Sequence, residues 1–153
     1  MLTYQPGIRQ FAGNIETDMR NIPLMQKKSA PTVLVVDDEA LIRWSLSEVL
    51  TEAGHIVVEA ADGQAAISAL ETAPPFDVIL LDYRLPDSND LNLLSTMRQR
   101  TPQSAVIMMT AYGTPEVTSG ALSLGVYQVL RKPFEVHDLV ELVVEAYNAR
   151  PGT

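Results

Sequence analysis

The chain has 153 residues, of which 46% are hydrophobic and 20% are charged, so it is long enough for one folded domain with an ordinary core. It contains no cysteine, which excludes disulfides, thiolate metal sites and cysteine nucleophiles. The net charge of −8 argues against direct nucleic-acid binding, and the apolar runs are too short for a membrane span. A cytoplasmic location is the default expectation.

The first 31 residues differ from the rest of the chain. They carry four basic and two acidic side chains, whereas the remainder is strongly acidic. Their weak helical spacing is interrupted by Gly13 and bounded by Pro6 and Pro23. We therefore expect a disordered extension over 1–31, a folded domain over 32–149 and a short tail over 150–153.

Short β-branched runs alternate with amphipathic segments between residues 32 and 148. The runs are 33–36, 56–58, 78–81, 105–109 and 126–130. Continuous apolar runs of this length are typical of strands that are buried on both faces of a parallel sheet. The pattern predicts an α/β protein with five βα units and right-handed crossovers.

Helical spacing follows each predicted strand. The helices are expected at about 39–53, after 62–63, around 91–97, from 115 and around 136–147. Gly54 would end the first helix in a left-handed conformation, and Thr114 and Pro115 form an N-cap and first-turn proline for the fourth. The segment 117–120 has poor helix propensity, so we expect the fourth helix to move.

Ionisable side chains follow the strands at the sheet edge where ligands bind in this architecture. The acidic residues 37–39 follow the first strand, Asp82 the third and Lys132 the fifth. Converging carboxylates repel each other unless a cation neutralises them, and an oxygen-only set without Cys or His favours Mg²⁺ over zinc. A carboxylate beside a metal and a lysine can attack a phosphoryl group, whose oxygens Thr110 would contact. The bond before Pro133 is a candidate for the cis form.

Four segments together resemble the receiver domain of two-component response regulators. They are Val35-Val36-Asp37-Asp38-Glu39, Leu80-Leu81-Asp82-Tyr83-Arg84-Leu85-Pro86, Met108-Met109-Thr110-Ala111-Tyr112-Gly113 and Lys132-Pro133-Phe134. The resemblance covers about residues 32–149. It implies a doubly wound, flavodoxin-like sheet with strand order 2-1-3-4-5.

The resemblance also implies a role for each matching position. Asp82 would accept a phosphoryl group from a histidine kinase or histidine phosphotransferase. Asp38 and Asp82 would bind Mg²⁺ together with the backbone carbonyl of Arg84, while Asp37 would act mostly through water. The domain would be a signalling phosphoacceptor and would catalyse only its own phosphorylation and dephosphorylation.

Further positions would transmit and time the signal. Thr110 and Lys132 would contact the phosphoryl group, and Arg84 and Tyr112 would modulate its loss. Phosphorylation would switch the face formed by the fourth helix, fifth strand and fifth helix, which would contact a downstream protein or a second copy. Trp44 lies near Asp38, where a donor helix docks in the family.

Two residues depart from the family pattern. Val129 stands three residues before Lys132, where the family has an aromatic switch residue. Tyr127 cannot simply replace it, because two residues along a strand shift a side chain by about 7 Å. Asp90 stands eight residues after Asp82, where the family has glycine.

Other interpretations remain open. A phosphatase of the haloacid-dehalogenase type would also use Asp82 as nucleophile, but it needs a second acid where Arg84 stands. A flavin-binding domain fits less well, because aspartates line the first loop. His55 and His137 are not expected at the site. The sequence predicts either a stand-alone receiver or the receiver of a longer regulator.

Overall fold

A parallel sheet of five strands alternates with five helices in the computed structural model, which describes residues 30–73 and 75–150. The strands are β1 (Thr32–Val36), β2 (Ile56–Ala60), β3 (Val78–Asp82), β4 (Ala105–Thr110) and β5 (Gln128–Arg131). The helices are α1 (Ala40–Glu52), α2 (Gly63–Thr72), α3 (Asn92–Arg100), α4 (Pro115–Ser123) and α5 (Val136–Asn148). This order confirms the predicted five βα units.

The strands are arranged in the order β2-β1-β3-β4-β5, as the resemblance implied. The register aligns the carboxyl ends of the central strands: Val36 of β1 pairs with Leu81 of β3. The residues that follow this pair are Asp37 and Asp82, so the two carboxylates emerge side by side. On the other side of β3, Asp82 pairs with Met109 of β4.

The core lies on both faces of the sheet, because successive strand residues point to opposite sides. In β1, Leu34 and Val36 pack under α2 and α3, whereas Val33 and Val35 pack under α1 and α5. All four are fully buried. Burial on both faces explains why the strands read as continuous apolar runs.

The helix ends follow the predicted signals, but the fifth strand begins later than predicted. Gly54 has φ +97° at the end of α1, and Thr114 Oγ1 accepts a hydrogen bond of 3.2 Å from the Val117 N–H at the start of α4. The fifth strand was predicted to begin at Val126, which is wrong: it begins at Gln128. The Val126 N–H donates to the Ala121 carbonyl at 3.3 Å and so still belongs to the turn that ends α4.

Two expectations fall on residues that the structure does not describe. The expected extension concerns residues 1–29 almost entirely, and the expected tail concerns residues 151–153; both lie outside the described ranges. Within 30–73 and 75–150, every helix is too short or too polar to cross a membrane.

Candidate functional site

Two buried carboxylates form the centre of the site. Asp37 is fully buried and Asp82 is 6% exposed. Asp37 Oδ1 accepts the Glu39 N–H at 2.8 Å, and Asp82 Oδ1 accepts the Arg84 N–H at 3.3 Å. Each carboxylate is therefore oriented by the backbone of the loop that follows its own strand.

Lys132 connects these carboxylates from the end of β5. Its Nζ donates to Asp37 Oδ2 at 2.9 Å, to Asp82 Oδ2 at 3.2 Å and to Glu39 Oε1 at 3.2 Å. The bond between Lys132 and Pro133 is cis, as anticipated. One ammonium group thus faces three carboxylates, so the site retains an excess of negative charge.

The electrostatics of the site follow from this crowding. Burial raises the pKa of Asp82 to about 6; the negative charge of Asp37 raises it too, and Lys132 opposes both. Burial alone would lower the pKa of Lys132, but its hydrogen bond to Asp37 and the charge of Asp82 outweigh burial and leave that pKa above its usual value. The carboxylates therefore favour an additional cation.

The donor set fits a hard divalent ion. Asp37, Glu39 and Asp82 each offer a carboxylate oxygen within 4.8 Å of the others. Three carboxylates without histidine or cysteine suit Mg²⁺ rather than zinc. Asp38 is exposed and lies outside this group. Its role as a metal ligand stays a prediction.

Glu39 is the acidic residue that sequence reasoning did not select. Its backbone is extended, with φ −83° and ψ 107°, just before α1 begins. The chain bends at Asp38, and the hydrogen bond from the Glu39 N–H to Asp37 Oδ1 holds these two acidic residues close together. The acidic run 37–39 is the sequence signal that could have identified Glu39.

Thr110 lies at the same edge of the sheet. It ends β4, is 1% exposed, and pairs with Arg131 directly before Lys132. Its Oγ1 accepts the Tyr112 N–H at 2.9 Å. The strand ends thus bring Asp82, Thr110 and Lys132 to one rim, as predicted.

Two exposed residues join the loops that follow β3 and β4. The Arg84 guanidinium carbon lies 4.3 Å from the centroid of the Tyr112 ring. This distance is that of a cation–π contact. The sequence named both residues, but it gave no sign that they touch.

The remaining predicted positions lie outside this cluster. Val129 is half-buried against the core, and Tyr127 is 38% exposed. Asp90 Oδ1 accepts the Asn92 N–H at 2.9 Å at the start of α3. His55 is buried just before β2, at the opposite edge of the sheet, and His137 is exposed on α5.

Comparisons with known proteins agree with this geometry. The family model of the response regulator receiver domain matches residues 33–144. The DNA-binding transcriptional regulator NtrC of Klebsiella pneumoniae is 38% identical over 73% of this chain and 24% of its own length. The response regulator protein PilR of Pseudomonas aeruginosa is 37% identical over 80% of this chain and 27% of its own.

Solved structures show the same fold. A CheY-like receiver domain protein from Methanospirillum hungatei has a TM-score of 0.74 and 29% identity, covering 78% of this chain and 95% of that one. The receiver domain of the Francisella response regulator 1452 has a TM-score of 0.70 and 30% identity, covering 77% and 97%.

The chain belongs to the response regulator receiver domain family, whose members are signalling modules of two-component systems. It spans about a quarter of the length of NtrC and PilR. The family match does not favour the alternative of a haloacid-dehalogenase-type phosphatase.

Proposed function

We propose that this receiver domain accepts a phosphoryl group on Asp82 from a histidine kinase or histidine phosphotransferase. The observation that carries the proposal is the placement of the Lys132 ammonium between Asp82 and Asp37 in a buried, acidic site. A structural salt bridge would need one carboxylate. Here three compete for the same cation, which leaves charge for a metal ion to neutralise.

Asp82 supplies the nucleophile. A carboxylate oxygen of Asp82 attacks the phosphorus of the donor's phosphohistidine, forming an O–P bond as the N–P bond breaks, and the electron pair stays on the histidine nitrogen. Because Asp82 is ionised above about pH 6, the oxygen is available at neutral pH. During the transfer the Lys132 ammonium group shifts from the Asp82 carboxylate to the phosphoryl oxygens and balances their negative charge.

The acidic residues would hold Mg²⁺. Asp38 and Asp82 would serve as ligands together with the backbone carbonyl of Arg84, and Asp37 would act mostly through water. Glu39 would add a further oxygen, because it lies in the group of three carboxylates. The ion when bound stabilises negative charge on the transferring phosphoryl group.

The donor would dock beside the site on α1. Leu41 is 74% exposed and Trp44 is 58% exposed. Leu41 also lines a groove with a mainly apolar surface, together with Ile42, Phe134 and Lys132. An exposed apolar surface of this kind is typical of an interaction site, and a donor helix placed there would bring its histidine to Asp82.

The output would be a change in the face formed by α4, β5 and α5. Thr110 turning towards the phosphoryl group gives up the bond that its Oγ1 accepts from the Tyr112 N–H, which releases the loop that leads into α4. A downstream protein or a second copy would read this face. Val129 occupies the position where the family has an aromatic switch residue, so this part of the family switch lacks its usual side chain. We place the domain in the cytoplasm without direct contact to nucleic acid or membrane.

Mass spectrometry tests the proposal. Incubation with acetyl phosphate and Mg²⁺ adds the mass of one phosphoryl group to the wild type and none to Asp82→Asn. Asp90→Asn is the matched control, because Asp90 lies in the loop after Asp82 and accepts its hydrogen bonds from Asn92 at the start of α3. An unmodified wild type, or an unchanged mass gain in Asp82→Asn, would contradict the proposal.

A further inference from the structure

The loop between β3 and α3 forms a tight hairpin beside the site. The Leu85 N–H donates to the Ser88 carbonyl at 2.8 Å, and the Ser88 N–H donates back to the Leu85 carbonyl at 3.2 Å. Asp87 stands at the tip of this hairpin. The acidic side chain at the tip is therefore carried by a turn that two reciprocal backbone hydrogen bonds close.

Asp87 ties the hairpin to the start of α2. Its Oδ1 accepts the Gly63 N–H at 2.8 Å and its Oδ2 accepts the Gln64 N–H at 3.0 Å. The hydrogen bond from Gly63 lowers the pKa of Asp87, so the carboxylate is charged where the helix dipole favours it. The two elements lie 23 residues apart in sequence.

The fit at this contact is close. A Cβ on Gly63 would stand 3.1 Å from Asp87 Oδ1, so glycine lets the carboxylate reach the backbone. The helix also has its own cap, because Asp62 accepts the Ala65 N–H at 2.8 Å. Asp87 therefore does more than cap the start of α2: it joins α2 to the loop that carries Arg84.

The hairpin is now held at three points. The Arg84 N–H donates to Asp82 Oδ1, Leu85 is 6% exposed in the core, and Asp87 is fixed to α2. The carbonyl of Arg84 lies between the first and second of these points. The direction in which this carbonyl points therefore depends on the contacts that fix the rest of the hairpin.

We propose that Asp87 is a positioning residue for the phosphoacceptor site. By fixing the tip of the hairpin to α2, Asp87 would keep the backbone carbonyl of Arg84 in the position from which it could serve as a ligand of the divalent cation proposed at Asp82. This inference rests on the proposed function. Asp87 itself touches neither the metal nor the phosphoryl group.

Magnesium affinity tests the inference. The Mg²⁺ dissociation constant of the full chain is measured by NMR titration for wild type, Asp87→Ala, Asp87→Asn and Asp62→Ala. We expect Asp87→Ala to raise the constant about tenfold, as loss of an outer-shell partner does. Asp87→Asn keeps one acceptor oxygen and should show a smaller increase. Hydrogen exchange at the amides of residues 83–85 should be faster in Asp87→Ala.

Asp62→Ala is the matched control, because it removes a cap from the same helix without releasing the hairpin. It should lower stability while leaving the Mg²⁺ constant unchanged. A wild-type constant in Asp87→Ala overturns the inference, as does an equal increase in Asp62→Ala. If the wild type takes up a phosphoryl group normally while Asp87→Ala binds Mg²⁺ like wild type, this inference fails and the proposed function stands. A wild type that neither binds Mg²⁺ nor becomes phosphorylated overturns both.

Discussion

Lys132 donates its shortest hydrogen bond to Asp37, at 2.9 Å, rather than to the proposed phosphoacceptor, which lies at 3.2 Å. The lysine side chain is 11% exposed and the Asp37 side chain is fully buried. In the unphosphorylated domain the ammonium group thus serves first to neutralise Asp37. Lys132 therefore has a structural role that does not depend on the proposed phosphoryl transfer.

Replacing Lys132 with alanine should therefore destabilise the fold and impair phosphorylation. Removing one partner of a buried ion pair costs about 3–5 kcal/mol, because the remaining charge stays buried. Urea unfolding at pH 7.5 without Mg²⁺ measures this cost, and Mg²⁺ should restore part of it. Arg131→Ala is the control, since Arg131 is exposed beside it. A Lys132→Ala protein as stable as Arg131→Ala would refute the interpretation.

Asp82→Asn should stabilise the metal-free protein at neutral pH. The folded-state pKa of Asp82 is about 6, raised from 3.8. A raised carboxyl pKa contributes stability that is present below about pH 4 and is lost as pH rises through 6. At pH 7.5 the wild type has lost this contribution, so Asn should gain about 2 kcal/mol. This advantage should be absent below about pH 4, and at pH 4.5 it should be only about a third of its size at pH 7.5.

Magnesium should reduce this difference in stability. A bound cation stabilises the folded wild type by mass action and has less effect on Asp82→Asn, which lacks the charge. Urea curves at pH 7.5 with saturating Mg²⁺ should therefore show the wild type gaining more stability. The explanation fails if Asp82→Asn is the less stable protein at pH 7.5 without metal.

Asp77 should be important for stability at the amino-terminal ends of the strands, away from the site. Its Oδ2 accepts the Thr32 N–H at 2.9 Å and its Oδ1 accepts Arg150 Nη1 at 2.6 Å, which joins β1 to the end of α5. Asp77→Ala leaves the backbone donor and the guanidinium without this partner, and should cost about 2 kcal/mol. Thermal or urea unfolding measures it.

The matched control for Asp77 is Glu71→Ala. Glu71 pairs with Arg100 at 2.7 Å, but the two side chains are 57% and 45% exposed. Exposed pairs of this kind contribute about 0–1 kcal/mol. Equal losses in the two variants would show that burial and the second hydrogen bond at Asp77 add nothing.

The fold could be predicted because its signals are local. Apolar runs, caps such as Thr114 and the glycine after α1 each specify their own element. The start of β5 could not be predicted. The Val126 N–H donates to the Ala121 carbonyl, so the turn that ends α4 includes a residue type that is typical of strands. Apolar β-branched residues in a helix-ending turn carry no sequence mark of that role.

Some residues of the site could likewise be predicted from the sequence, and others could not. Asp82 and Lys132 could be placed on one rim because each stands at the carboxyl end of a strand, and the carboxyl ends of parallel strands lie together. The contact between Arg84 and Tyr112, and that between Asp87 and α2, depend on loop conformations and long sequence separations. No pattern of residue types specifies them, so only the structure reveals them.

The contact between Arg84 and Tyr112 should lengthen the life of the phosphorylated state. Their side chains join the two loops beside Asp82, at 4.3 Å between guanidinium carbon and ring centroid, and would restrict the approach of water to the acyl phosphate. An exposed cation–π contact contributes about 0.5–1 kcal/mol, which corresponds to about two- to fivefold in rate. We expect Tyr112→Ala and Arg84→Ala each to speed loss of the phosphoryl group by that factor.

The double variant distinguishes a joint role from two separate ones. If the pair acts as a unit, Arg84→Ala combined with Tyr112→Ala should be no faster than the faster single variant, and Tyr112→Phe, which keeps the ring, should behave like wild type. Mass spectrometry after removal of acetyl phosphate follows the decay, with Tyr127→Ala as a control at an exposed aromatic residue on the far side of β4. Multiplicative rates in the double variant would show that the two side chains act independently and that their stacking has no part in protecting Asp82.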